Sequence, residues 1–319
     1  MENNTNLNTN TPEKTAVSKR FRIQNVGGEK EINFFVVLEM FRFLFYLWFV
    51  LIMVTAILLT VIFTEEEYSA IIKTIFGSIN VCVFFDFAPS IYVLPSLFTV
   101  WPIIAFQYSM FSIFRAWIAK EENKMSTFSF ISYTLIFVYF NVSIVVFSTS
   151  LAIQPDLNKP TTIILHTLPF TNFIVALTFF QVAITWFGFR VSWKGLNIPK
   201  LLHIATYVCI IMMVITSIMK ILQHFNAVLD LGDGLERDVS VHGIWWSVRN
   251  ETMQRILQIV DAMWMISALF WPMCQSGYLL WRNFDTHGLI ITIGDNRRAN
   301  EKNSRNHEGI ENEGIEMKE

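Results

Sequence analysis

The chain has 319 residues, is 53% hydrophobic and 15% aromatic, and carries only 16% charged residues with a net charge of -2. A soluble domain carries about 25% charged residues, so the deficit speaks for lipid exposure, and the length leaves no room for a second folded domain beside one helical bundle. No apolar stretch precedes Phe34, so no cleavable signal peptide is expected and the first membrane helix is read as the insertion signal.

Six nearly charge-free runs follow in chain order: Phe43–Phe63, Ala88–Phe114, Phe128–Ile153, Thr161–Phe187, Leu201–Met219 and Leu257–Trp281. The first contains no Asp, Glu, Lys, Arg, Gly or Pro. About 20 residues span roughly 30 Å as a helix, the thickness of a hydrocarbon core. The expected fold is therefore all-α, a polytopic bundle of six transmembrane helices occupying residues 34–285. Residues 1–33 and 286–319 are expected as disordered cytoplasmic tails, being rich in polar and charged residues. The first helix could begin earlier, near Phe34, which would put Glu39 and Arg42 one turn apart and allow an ion pair.

Positive residues near span ends are retained in the cytoplasm. Most of the 24 Lys and Arg fall on one side of this arrangement. The N-terminal segment holds Lys14, Lys19, Arg20, Arg22 and Lys30; the second-to-third connection Arg115, Lys120 and Lys124; the fourth-to-fifth Arg190, Lys194 and Lys200. The other side holds Lys73, Lys159, Lys220, Arg237, Arg249 and Arg255. Both termini are accordingly expected in the cytoplasm. Asn250-Glu251-Thr252 is then a lumenal sequon, making Asn250 a candidate for glycosylation.

The first lumenal connection turns β-branched and aromatic over Ile75–Phe87, which suits a short hairpin turning at Gly77-Ser78. The connection from Lys220 to Ile256 carries Trp245-Trp246, a pair suited to the membrane interface. Pro89, Pro95, Pro102, Pro169 and Pro272 each remove a backbone bond and can kink a helix. Cys209 and Cys274 read as small packing residues, and Cys82 has no other loop cysteine to pair with.

An ionisable residue within a bilayer is costly and invites a functional reading. His166 and Asp261 each lie about one turn in from the lumenal end of the fourth and sixth spans. If those spans face each other, an Asp-His hydrogen bond would reduce the cost of both. Such a pair either glues the bundle or forms a polar site at the lumenal mouth. Gln107, Asn141, Asn172, Gln181 and Gln275 are expected to form interhelical hydrogen bonds of order 1 kcal/mol each. No HExxH, GxSxG or CxxC pattern is present, nor an Arg ladder or a carbonyl-type filter. No catalytic residue, metal site, cofactor or nucleic-acid partner is expected. A small serpentine receptor is an alternative, but that class needs seven spans and termini on opposite sides.

Three places carry a family resemblance. Pro89-Ser90-Ile91 is followed by Trp101 early in the second span, His166 stands near the lumenal start of the fourth, and Asp261 stands early in the sixth, with Phe284-Asp285 closing the region. Over about residues 35 to 285 the chain resembles the Frag–DRAM–Sfk family, nearest its post-GPI-attachment-factor-like members. It departs from their pattern at Pro102, where they carry a basic residue, and at Gln107 or Tyr108, where they often carry His. The resemblance implies an endomembrane protein of the Golgi or endoplasmic reticulum, an accessory factor in GPI-anchor lipid remodelling. Its implied partners are membrane lipids and GPI-anchored proteins or their lipid. Other branches imply a scaffold or regulator of autophagy or phosphoinositide-kinase recruitment, at the lysosome or plasma membrane.

Overall fold

The computed structural model describes residues 21–26, 29–63, 85, 88–151, 153, 160–194, 196, 198–232, 251–283 and 289–293. The expected hairpin around Gly77-Ser78, Cys82, Trp245-Trp246, Phe284-Asp285 and the sequon at Asn250 all lie outside these residues. The chain divides into two compact units, one of residues 38–283 and the other of the two terminal segments.

The larger unit is a helical bundle. Its helices are α1 (Leu38–Phe63), α2 (Ser90–Glu121), α3 (Thr127–Ser150), α4 (Pro160–Phe187), α5 (Lys200–Gly232), α6 (Glu251–Met265) and α7 (Trp271–Asn283). A π-helical segment, Gly188–Ser192, extends α4, and a second, Ile266–Phe270, joins α6 to α7 as one long rod. Among the described residues six rods are thus long and apolar enough to cross a membrane, as the sequence predicts. Consecutive helices pack against each other from α1 to α6, and α7 returns to α1, so the rods close into a ring.

Local chemistry explains the tightest corner. Asn123 takes a positive φ of 55°, which Asn tolerates better than most residues. This lets Asn123 N–H donate to Lys120 O at 3.0 Å and Lys124 N–H to Ala119 O at 2.9 Å, satisfying the last carbonyls of α2. Three residues later Ser126 Oγ accepts from Ser129 N–H at 3.1 Å and starts α3.

The interior of the ring is packed with aromatic side chains. Trp101 stacks on Phe45 and Phe49, with centroids at 5.3 Å and 4.3 Å. Phe140 stacks on Phe180 at 3.8 Å and Phe147 on Phe173 at 4.9 Å. Each such pair contributes about 0.5–1.5 kcal/mol beyond its burial. Outward positions are apolar as well: Leu51, Ile103, Leu135, Val142 and Ile211 are all exposed. Lipid tails are as apolar as leucine, so association here relies on close packing and interhelical hydrogen bonds instead of water exclusion. That explains why Arg42, Lys220, Asp261, Gln181 and Gln275 are buried while leucines and isoleucines point outward.

The two largest departures from the boundaries read in sequence are at the C-terminal ends of α2 and α5. Helix α2 runs past Phe114 to Glu121, carrying Arg115 and Lys120 beyond the apolar stretch. Helix α5 runs past Met219 to Gly232, so Lys220 is a helical residue rather than the start of a loop. Its charge is matched inside the bundle, and a matched charge does not end a helix.

The smaller unit is a three-stranded antiparallel sheet of β1 (Phe21–Val26), β2 (Glu29–Val36) and β3 (Leu289–Ile293), in the order β1-β2-β3. This corrects the expectation of disordered tails at residues 21–33 and 289–293. The register pairs Phe21 with Phe34, Ile23 with Ile32, Ile32 with Ile293, Phe34 with Ile291 and Val36 with Leu289. Directly paired residues share one face of a sheet, so Phe21, Ile23, Ile32, Phe34, Val36, Leu289, Ile291 and Ile293 gather on one side, while Val26, Phe35 and Ile290 lie on the other. Average tail polarity hides this period-two pattern, and β3 finds its partner only across the length of the chain.

Candidate functional site

Two polar clusters sit at opposite ends of the bundle. The first lies where α4 and α6 begin and α5 ends. Lys220 Nζ donates to Asp261 Oδ1, joining α5 to α6. Only 1% of the Lys220 side chain and 8% of the Asp261 side chain are exposed. The ammonium also faces the rings of Trp264 at 5.4 Å and Phe170 at 5.9 Å, a favourable setting for a cation out of water. Among the described residues Asp261 Oδ2 has no hydrogen-bond partner.

One turn along α5 from Lys220, His224 is buried beside Phe170. Its Nδ1 is 2.9 Å from Thr171 Oγ1, whose own proton goes to Thr167 O at 3.0 Å. A hydroxyl has one proton to give, so the His224 Nδ1–H is the donor. His166 Nδ1 donates to the Ile153 carbonyl at 3.0 Å, and His166 and Lys220 lie within electrostatic reach of the His224 ring. Deeper, Trp264 Nε1 donates to Ser217 Oγ at 3.1 Å, and Thr178 Oγ1 to the same oxygen at 2.9 Å.

The expected His166–Asp261 hydrogen bond is therefore replaced. Both residues are at this end, as read from sequence, but Asp261 pairs with Lys220 and His166 with a backbone carbonyl. A full ammonium charge desolvated with the carboxylate outcompetes a neutral imidazole for it. Sequence alone places His224 on the lumenal side with His166 and Asp261, but Lys220, one turn from His224, escapes it because Lys220 reads as the start of the connection after the fifth span. Its signal is the spacing of Met213, Ser217, Lys220 and His224, three or four apart and all buried on one helix face.

The second cluster lies at the end where α1 and α5 begin and α7 ends. Arg42 is buried, its Nη1 3.3 Å from Glu39 Oε2, the one-turn ion pair expected from their spacing. Arg42 Nη2 donates to Gln275 Oε1 at 2.6 Å, and Gln275 Nε2 donates to Thr206 Oγ1 at 2.8 Å. Glu39 Oε1 accepts from Trp193 Nε1 at 2.9 Å, while the Arg42 guanidinium lies 5.3 Å from the Trp193 ring. One network thereby clamps α1, α5, α7 and the turn after α4. Gly188 makes room for it: a β-carbon there would lie 2.5 Å from the Trp193 indole.

Farther inward, Gln181 Nε2 donates to the Tyr46 hydroxyl and lies 3.5 Å from Ala268 O. Pro272 has no N–H for the carbonyl four residues back, which is that of Ala268. Gln181 therefore reaches the backbone where proline has disturbed the ladder, next to the π-helical segment. Asn141 Nδ2 bonds Ser109 Oγ at 2.7 Å, and Asn172 bonds Ser143 at 2.9 Å and Tyr139 at 2.7 Å. Asn141, Asn172, Gln181 and Gln275 thus form the interhelical bonds predicted for them. Gln107 does not; it is exposed on the outer face and makes no hydrogen bond among the described residues.

Among the described residues no three His, Cys, Asp or Glu side chains gather as a metal site. Comparison with protein families, with characterised proteins and with solved structures found no match. The Lys220–Asp261 cluster is the candidate site on its chemistry alone. It offers a buried cation, a carboxylate oxygen with accepting capacity in hand and two imidazoles.

Proposed function

We propose that this chain is a multi-pass protein of the Golgi or endoplasmic reticulum membrane, an accessory factor in the lipid remodelling of GPI anchors. The observation that carries the reading is the Lys220–Asp261 pair with His224 and His166, buried at one end of the bundle. Replacing a buried ion pair by apolar residues is often neutral or stabilising, so stability alone is a weak reason to keep one. A polar group held at the mouth of a membrane bundle has the chemistry to meet a lipid headgroup or to hold a proton. The basic connections favour a lumenal position for this end, the side on which the anchors reside. Antiparallel pairing of β2 with β3 supports termini on one shared side. The resemblance at Pro89-Ser90-Ile91, Trp101, His166 and Asp261 supplies the anchor lipid.

Cells lacking the protein should show altered acyl chains on GPI anchors by mass spectrometry, or reduced surface levels of anchored proteins. The wild-type chain should restore both, and the Asp261→Asn variant should not. Normal anchor lipids in the null cells would remove the proposal. The terminal sheet favours a second reading, a membrane scaffold that recruits a cytoplasmic partner through its tails. A chain truncated after Asn283 loses β3 and should then lose function; a fully active truncation would end that reading.

A further inference from the structure

We propose that the outer groove between α3 and α4 is a binding site for one anionic glycerophospholipid of the surrounding leaflet. This site is at the Arg42 end of the bundle and stands independently of the anchor reading. The groove has a volume of about 270 Å³. At roughly 30 Å³ for each water-sized group, it accommodates about nine such groups, a substantial part of one acyl chain. Phe128 and Ile136 form one wall and Phe179 and Trp186 the other, with Ala183 a small residue between larger neighbours. Phe128 is 80% exposed and Phe179 54% exposed, so the walls stand out from the bundle and leave a furrow.

The charge at one end decides the occupant. Helices α3 and α4 run antiparallel, so Phe128 and Trp186 mark the same end of the groove. There the guanidinium of Arg190 lies 5.5 Å from the Trp186 ring. Among the described residues Arg190 has no carboxylate partner, and it is exposed. Ser129 and Ser132, one turn apart on α3, add two half-buried hydroxyls to the groove. An apolar furrow that ends at hydroxyls and an unmatched guanidinium is the inverse of a lipid: acyl chain, ester oxygens, phosphate. Arg favours this role because its planar fork pairs with phosphate oxygens while its face rests on an indole.

The test uses the full-length chain in phosphatidylcholine vesicles doped with phosphatidylserine carrying a photoreactive acyl chain, followed by peptide mapping. Label should concentrate in residues 128–136 and 179–186. Unlabelled phosphatidylserine should compete for it, and unlabelled phosphatidylcholine should compete about fivefold less well, the preference expected from one basic residue at an anionic surface. Arg190→Gln should keep the label in the groove but abolish that preference. Ala183→Phe should fill the groove and remove the label while the size-exclusion profile stays unchanged. Should that variant misfold, Ser132→Leu fills the same space from α3. Label spread evenly over the outer faces of all helices, or equal competition by both lipids, would show ordinary annular lipid and overturn the proposal.

Discussion

Asp261→Asn converts the buried ion pair into a lone buried ammonium, and the structure sets the scale of the effect. Lys220 is 1% exposed, so its charge cannot turn to water when the carboxylate is gone. Breaking such a pair from one side costs about 3–5 kcal/mol. At about 1.4 kcal/mol per factor of ten, that is at least roughly a hundredfold in the folding equilibrium. The measurement is a denaturant titration of the purified chain in mixed micelles, followed by tryptophan fluorescence, with Trp264 reporting directly on the site. Lys220→Met should be milder, since it leaves a carboxylate with 8% exposure instead of a fully enclosed cation. The double variant, Lys220→Met with Asp261→Asn, should return to within about 1 kcal/mol of the parent, because no unmatched charge remains. A double variant whose loss equals the sum of the single losses would refute the reasoning, since residues in one buried pair couple by about 0.5–3 kcal/mol. The same cycle on His166 and Asp261 should give a smaller coupling than Lys220 with Asp261, because the hydrogen bonds of His166 and Asp261 go to different partners.

Gly188→Ala should destabilise the chain by about 1–3 kcal/mol in the same titration, as expected of overpacking, because the added carbon meets the Trp193 indole at 2.5 Å. Gln181→Leu should lose about 1–3 kcal/mol by leaving the buried Tyr46 hydroxyl without its partner, whereas Gln107→Leu on the outer face should stay within about 0.5 kcal/mol of the parent. Tags on the two ends should show the same protease accessibility in sealed vesicles; tags on opposite sides would break the six-span arrangement.

The number of rods, their length and their solvent were legible in the residues alone. A charge-free run of about 20 residues can satisfy its backbone in lipid only as a helix, so composition and length suffice for that inference. Glu39 with Arg42 was legible for the same reason: the pair is local and one helical turn sets it. The interhelical amides were legible as a class, because Asn141, Asn172, Gln181 and Gln275 had to find partners somewhere in a dry interior. What no window of sequence contains is who faces whom. Which of His166 and Lys220 meets Asp261 depends on how α4, α5 and α6 are rotated about their axes, and that rotation follows from packing across the whole ring. Gln107 looked like the other amides and turned outward for the same reason. The sheet is the extreme case, because β3 pairs with β2 across the length of the chain, and no window of sequence holds both strands. Periodicity constrains each element by itself, while the pairing of charges and strands is a property of the assembled bundle.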